Sequence, residues 1–456
     1  MNAVAGTRLV ALVVAILGAT GRSAAQSSLF EVEKGDATKV LQLSEDAGLV
    51  VKGTFGTGAL PAAGEGVRLM WYPRKAAFRA GRVDAAEWDD GSIGGASVAF
   101  GQNTTASGTH SVAMNSLTTA KGDYSTALGV STVASGIVST ALGQHTTASG
   151  DVSTAVGDNT TASGIYSTAL GSRTIASGEA STAGGAQSTA GGFGSTALGN
   201  STTASGHSST AMGISAVASG NYSVAIGDGA KAGGTAAVAL GAATNASGDF
   251  AVAMGRATTA GGGGSVALGT NATAQGNGSF AFGDRSTTQA LIALENQFSA
   301  RAFGGFLFSS GVNAGCFIPA GEGVLTCTSS RLAKEGFQDL DGEAVLTKLA
   351  AVPIRRWHFL GIEAAHVGPT AEDFHAAFGL GEGPATIATV DANGIALRAA
   401  QALERRTVEL REENAALRSE LAILRTQLQA VAASLERFDG RQPAPYVLLG
   451  GHPACP

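Results

Sequence analysis

The chain has 456 residues, a formal net charge of −6 and only 14% charged residues, a balance that offers no basic face to nucleic acid and no polybasic patch to a membrane surface. Its three cysteines, Cys316, Cys327 and Cys455, are too few for a disulfide scaffold and match no zinc-ligand spacing. Seven histidines scattered from His110 to His452 outline no metal cluster, so neither metal nor cofactor is expected.

Residues 1–25 read as a signal peptide. Arg8 precedes an apolar run from Leu9 to Ala19, and Ser23 and Ala25 supply the small residues that favour cleavage before Gln26. The run falls short of the roughly 20 residues a bilayer span needs, and no later stretch is long and apolar enough. The mature chain is therefore expected to be exported, secreted or at the cell surface, with no membrane-spanning segment. Residues 26–95 come next as a β-rich N-terminal cap. The runs 49–56 and 67–73 read as strands and Asp89-Asp90-Gly91 as a turn. Trp71, Tyr72, Phe78 and Trp88 are expected to form the core of this cap, with a binding patch as the alternative.

Residues 96–286 repeat every fourteen residues without insertion, as Ser-x-Ala-x-Gly-x-x-x-x-Ala-x-Gly-x-x. Serine recurs from Ser97 to Ser279, replaced only by Ala237 and Ala251. Alanine fills the slot two residues later in every copy, from Ala99 to Ala281. One glycine column runs from Gly101 to Gly283 with Asn115 as its exception, and another from Gly108 to Gly276 with none. A fixed period of this kind is the mark of a solenoid or stacked array. Segments such as Ser-Val-Ala-Phe at 97–100 alternate in the two-residue rhythm of a strand, and glycine suits the turns between them. All prolines fall outside the array, so every residue in it keeps a backbone donor. Only 12 of the 64 charges lie in residues 97–286, so stacked turns do not repel one another. At about 4.7 Å per turn, fourteen turns extend roughly 65 Å.

A single copy of such an array is poorly supported. Ordering fourteen residues costs more conformational entropy than the burial of one or two sizeable side chains per turn returns, so an oligomer is expected. The threonine pairs, Thr104-Thr105 through Thr258-Thr259, read as surface strand formers, with an ice- or glycan-binding ladder as the alternative. The aspartates, such as Asp151, Asp158 and Asp228, keep no single slot, unlike those of calcium-binding nonapeptide repeats.

The Ser-x-Ala-x-Gly turn closely resembles the head repeats of trimeric autotransporter adhesins. That resemblance implies a homotrimer of left-handed parallel β-rolls and a cell-adhesion role, with a host or surface receptor or a glycan as partner. Those adhesins finish in a membrane β-barrel anchor, and nothing here reads as one.

Residues 287–328 form a β connector, with strand-like runs at 303–310 and 315–327. Cys316 and Cys327 flank the turn Ala320-Gly321-Glu322-Gly323 and would bridge a hairpin in an oxidising compartment, or remain free. From Thr328 the sequence Ser329-Ser330-Arg331-Leu332-Ala333-Lys334-Glu335 resembles the opening of the intramolecular chaperone domain of endosialidases and phage tail proteins, Ser-Asp-Arg-x-Leu-Lys-Glu-Asn. The likeness continues in order through Val352-Pro353-Ile354-Arg355-Arg356-Trp357, His366-Val367-Gly368-Pro369 and Val390-Asp391-Ala392-Asn393-Gly394. It implies an α+β chaperone over residues 329–398 that trimerises the chain and then cuts it once. Carried over, Ser329 is the nucleophile, Lys334 the base, the scissile bond lies between Thr328 and Ser329, and His366 supports the site. Ser330 stands where the family has Asp and is the alternative nucleophile.

Residues 399–438 read as a coiled coil. Ala400, Thr407, Asn414, Leu421, Leu428 and Leu435 fall at a, and Leu403, Leu410, Leu417, Leu424 and Val431 at d. Residues 439–456, with four prolines, read as an unstructured tail. The expected fold is thus mostly β, a trimeric parallel β-roll of fourteen-residue repeats followed by a small α+β domain and a coiled coil. The expected function is an adhesin-like fibre that releases its own chaperone. The alternatives are a phage-tail-like or tailspike protein that binds or hydrolyses glycans, an ice-binding protein, and an uncleaved surface fibre. A hydrolase needs paired carboxylates, which the array does not repeat, so no turnover enzyme is expected beyond a single self-cleavage.

Overall fold

The computed structural model describes residues 28–438 apart from 34–38, 45–47, 312–313 and 382. The expected signal peptide, Cys455 and the tail from residue 439 lie outside the described residues. The chain divides into two compact units, one running to Ser310 and including Gly315–Cys327, the other comprising Gly311–Ala314 and the residues from Thr328 on. The fold is mostly β, and no described helix is long and apolar enough to cross a membrane.

The first unit is dominated by a parallel β-solenoid of about fifteen turns. Each turn contributes a five-residue strand such as Val98–Gln102 and a two-residue strand such as Thr105–Ala106. These stack in register on their counterparts fourteen residues away: Val98 faces Val112, Thr126 faces Thr140, and Thr105 faces Thr119. Backbone bonds run both ways along the stack. The Val98 amide donates to Ser111 O at 2.9 Å, and the His110 amide donates back to Gly95 O at 2.7 Å. With fourteen strands between its ends, at about 4.8 Å spacing, the long ladder progresses along an axis and does not close into a ring.

The ladder extends past the motif at both ends. Ala77–Val83 lies parallel to Val98–Gln102, pairing Gly81 with Gly101, and is the first rung. It is covered by the antiparallel strand Gly66–Tyr72. At the far end Phe298–Arg301 pairs with Phe280–Gly283 and Leu291–Ala293 with Ala272–Ala274. Part of the stretch read from sequence as a connector is therefore a longer last turn.

The interior is narrower than the sequence suggests. Ala99 and Ala106, with their equivalents in every turn, have no exposed surface, and neither do Ser97 and Thr104. Thr104, Thr118 and Thr146 are therefore inside, and only the second threonine of each pair faces outward, which corrects the reading of both as surface residues. The Thr104, Thr118 and Thr146 hydroxyls find no partner there. Because side chains alternate across a strand, burying the alanines turns the bulky residues outward. Leu170, Ile226, Met254 and Phe282 are all at least 39% exposed.

The cap has its own core of Met70, Tyr72, Ala77, Val83, Trp88 and Ile93. Trp88 donates from Nε1 to Thr104 O at 2.9 Å and so ties the cap to the first turn. Trp71 and Phe78 are only half-buried, so two of the four aromatics read as core lie at its margin. Strands Ser28–Glu33, Lys39–Ser44 and Gly48–Val51 form a separate antiparallel sheet. In the connector, Cys316 pairs with Cys327 across antiparallel strands, and the two are joined by a disulfide.

The second unit packs three helices and a hairpin. Helix α1 (Gly342–Ala351) begins at Asp341, whose carboxylate accepts the Glu343 amide. Helix α2 (Ala371–Phe378) begins at Thr370 and ends at the left-handed Gly379. Helix α3 runs unbroken from Thr389 to Phe438. Val345, Phe374, Ile395 and Ala399 make the core between them, and Arg406 of α3 pairs with Glu343 of α1.

Candidate functional site

Two surfaces carry the functional possibilities, one in each unit. In the first, the outward column formed by Phe100, Met114, Leu128, Leu142 and their successors runs the length of the array. The valines and threonines two residues before each of them are half-buried alongside. Broken at Gly184, this apolar strip along one side of a narrow stack is the kind of surface that ordinarily has a partner.

The corners of the turns were not foreseen. Left-handed backbone recurs twice per turn at ordinary residues, among them His110, Leu117, Tyr124, Val138 and Val152. The glycines do different work. Gly129 has φ +128°, and a Cβ there would lie 1.9 Å from Gly143 O. Gly122 has no unusual φ, but its Cβ would lie 1.9 Å from Gly136 O. Asn115, the one exception in the first column, sits at φ 92°, a region asparagine enters more readily than most residues. Asp123, Asp151 and Asp249 share a corner slot, where each carboxylate accepts the backbone amide one turn earlier, as Thr109 N to Asp123 Oδ1 at 2.7 Å.

Buried Arg79 closes the start of the stack, another residue the sequence did not mark. Its Nη1 donates to Phe78 O and Ser97 O, and its Nη2 to Ser97 Oγ and Ala106 O. Burial lowers its pKa to about 10.

Residues 92–114, 120–146, 135–160, 148–174, 190–213, 204–230, 232–258 and 260–286 match the YadA head domain repeat. The array is of the adhesin-head type. The matched stretches of this head array lie within the parallel ladders, and the head repeats point to a surface-exposed, adhesin-type fibre. No curated protein matches the chain.

In the second unit the chain folds back just after Thr328. Ser330 Oγ accepts the Leu332 amide at 3.2 Å and caps a short 3-10 turn, Arg331–Ala333. The Lys334 amide closes that turn on Arg331 O at 3.3 Å. The turn returns the Lys334 side chain to Ser329, where Nζ donates to Oγ at 2.7 Å. Ser329 and Lys334 are thus adjacent, and both are exposed in the single chain. Ser330, the alternative nucleophile, is occupied as the cap. His366 lies on the hairpin Arg355–His358/Ala365–Gly368 opposite Trp357. Its ring is 5.0 Å from that of Trp357 and 5.5 Å from that of Phe359. Among the described residues it makes no hydrogen bond to Ser329 or Lys334. His358 Nδ1 and His375 Nδ1 lie within hydrogen-bond distance of Phe359 O and Leu380 O, respectively.

Proposed function

We propose that this protein is an exported homotrimeric surface fibre of the adhesin type, whose C-terminal unit assembles three chains and then releases itself by cutting between Thr328 and Ser329. The observation that carries the reading is the orientation of each turn. Alanine, serine and threonine fill the inside, while leucine, methionine and phenylalanine face out in one column. A stack so thin gains little from its own core, and like columns on other copies are the natural cover for an in-register strip. The match to the YadA head domain repeat supports the same arrangement. The leucine seam of α3, with Leu410, Leu417, Leu424 and Leu428 each at least half exposed, gives the C-terminal unit a second self-complementary surface.

Self-cleavage is the chemistry the Ser329–Lys334 pair can supply. A lysine acts as a base only as the free amine. Assembly that covers Lys334 would disfavour its charged form, and so couple cutting to correct folding. Ser329 Oγ then gives its proton to Nζ and attacks the Thr328 carbonyl carbon. The Thr328–Ser329 C–N bond breaks, and the Ser329 nitrogen takes the proton back from Nζ. Water hydrolyses the resulting ester, leaving a carboxylate at Thr328 and a free amine and hydroxyl at Ser329.

The test compares secreted chains with and without Ser329→Ala by native mass and N-terminal sequencing. The expected result is a trimer in both, with a new N-terminus at Ser329 in the parent alone. A monomeric parent removes the fibre reading, whereas an intact trimeric parent removes only the peptidase.

A further inference from the structure

The Cys316–Cys327 disulfide stands one residue before the bond between Thr328 and Ser329, and the Ser329–Lys334 pair does not use it. Cys327 lies in Thr326–Cys327, the outer strand of a three-stranded sheet, which pairs through Phe317 and Cys316 alone. Residues 322–325 before it and 328–330 after it are exposed and belong to no helix or strand. A two-residue ladder at the edge of a sheet frays readily. The covalent bond to Cys316 is therefore what fixes Cys327.

On the far side of the scissile bond, Ser330 caps the turn Arg331–Ala333, and Lys334 reaches back to Ser329. Only Thr328 and Ser329 separate Cys327 from that turn. Every peptide bond that precedes a serine sets a hydroxyl near the carbonyl it would attack, yet such bonds persist in ordinary flexible chain. A base and a held conformation single one out, because attack needs the oxygen about 3 Å from the carbonyl carbon and on its line of approach. Lys334 supplies the base. The held conformation requires both flanks of the two-residue link to be fixed, and the disulfide fixes the first of them. With the sulfurs reduced, residues 322–329 would form one continuous exposed segment with many more conformations to lose.

Given cleavage between Thr328 and Ser329, on which this inference rests, we propose that the disulfide positions the scissile bond, so that cutting waits for oxidation. A chain with free thiols assembles but stays whole. Closing the bond from two thiols passes two electrons and two protons to a small disulfide, which leaves as two thiols. Cys327 is exposed in the single chain, within reach of such a reagent. The boundary between the two units falls after Cys327, so the disulfide stays with the fibre when the C-terminal unit leaves.

The test uses the full chain carrying Cys455→Ser, which leaves one possible pair, folded in a water-soluble phosphine and then moved into oxidised glutathione. A phosphine is chosen because an added thiol would itself open the ester. The expected result is an intact trimer in the phosphine and cutting at least about tenfold faster on oxidation, with the new N-terminus at Ser329. Cys316→Ser combined with Cys327→Ser is expected to cut at the slow rate in both conditions, with native mass and the thermal midpoint of the array unchanged, which separates positioning from folding. Equal rates with and without the disulfide, or loss of the trimer in the phosphine, would overturn the proposal. No cutting once the disulfide has formed would remove the cleavage itself, and the redox dependence with it.

Discussion

Two residues of one turn show how differently a single position can bear on the stack. Gly129 lacks a Cβ because the next turn's carbonyl occupies its place at 1.9 Å and because φ is +128°. Gly129→Ala is expected to cost about 3 kcal/mol or more, read as a lower midpoint in thermal unfolding of the array. Nine residues on, Val138 holds a left-handed corner at φ 58° with its side chain nearly half exposed. A β-branched residue is strained there, so Val138→Asn is expected to stabilise by roughly 1 kcal/mol. An unchanged midpoint in both variants would refute this account of the turns. The glycine columns were legible in the sequence because collision with a neighbour leaves almost no room for a substitute, Asn115 being the single exception. The left-handed corners were not, because the inter-turn bonds of a register-locked stack impose that conformation on histidine, tyrosine and valine alike.

At the scale of elements, the ladder is defined by its ends as much as by its repeat. Arg79 supplies three donor contacts to the first turn and one to Phe78 O on its own strand, so Arg79→Ala is expected to cost about 3 kcal/mol. Damage in a one-dimensional stack stays local, and hydrogen exchange should therefore accelerate over residues 97–125 while residues 250–280 keep their protection. Uniform loss across the array would contradict that picture. At the other end Asp284 ties down the lengthened last turn. Its pKa falls to about 2, chiefly through the Ser286 hydroxyl and then the Phe303 amide and Arg301. A carboxyl group whose folded pKa is depressed stabilises above its unfolded value, near 4, and that contribution is lost as pH drops towards 2. Protection of Phe298–Arg301 is expected to fall through that window. Asp284→Asn should begin lower at neutral pH and change little there. The fifteenth turn escaped the sequence reading because pairing needs only extended backbone and a small inward residue. Ala293 provides that without the serine and glycine of the motif. The pairing of Ser329 with Lys334 was expected from the resemblance to the chaperone opening, whereas the packing of His366 against Trp357 and Phe359 depends on a hairpin register that a resemblance in short blocks does not fix.

For the whole molecule, the question is which exposed apolar residues are interface and which are only surface. Leu170 and Tyr166 lie in one turn, 44% and 61% exposed. Leu170 belongs to the outward column of the long strands, while Tyr166 stands on a corner. If three arrays meet through the column, Leu170→Asp buries a charge in an apolar contact three times per trimer. It should lower the thermal midpoint and favour dissociation on dilution, each uncompensated charge costing several kcal/mol. Tyr166→Asp places the same charge in water and should leave midpoint and native mass unchanged. A Leu170→Asp protein as stable and as trimeric as its parent would show that the column is not where the copies meet. A destabilised Tyr166→Asp would instead move the interface to the corner. The pair is informative because both variants leave the alanine interior untouched, so any difference between them reports on contact between chains rather than on the folding of one.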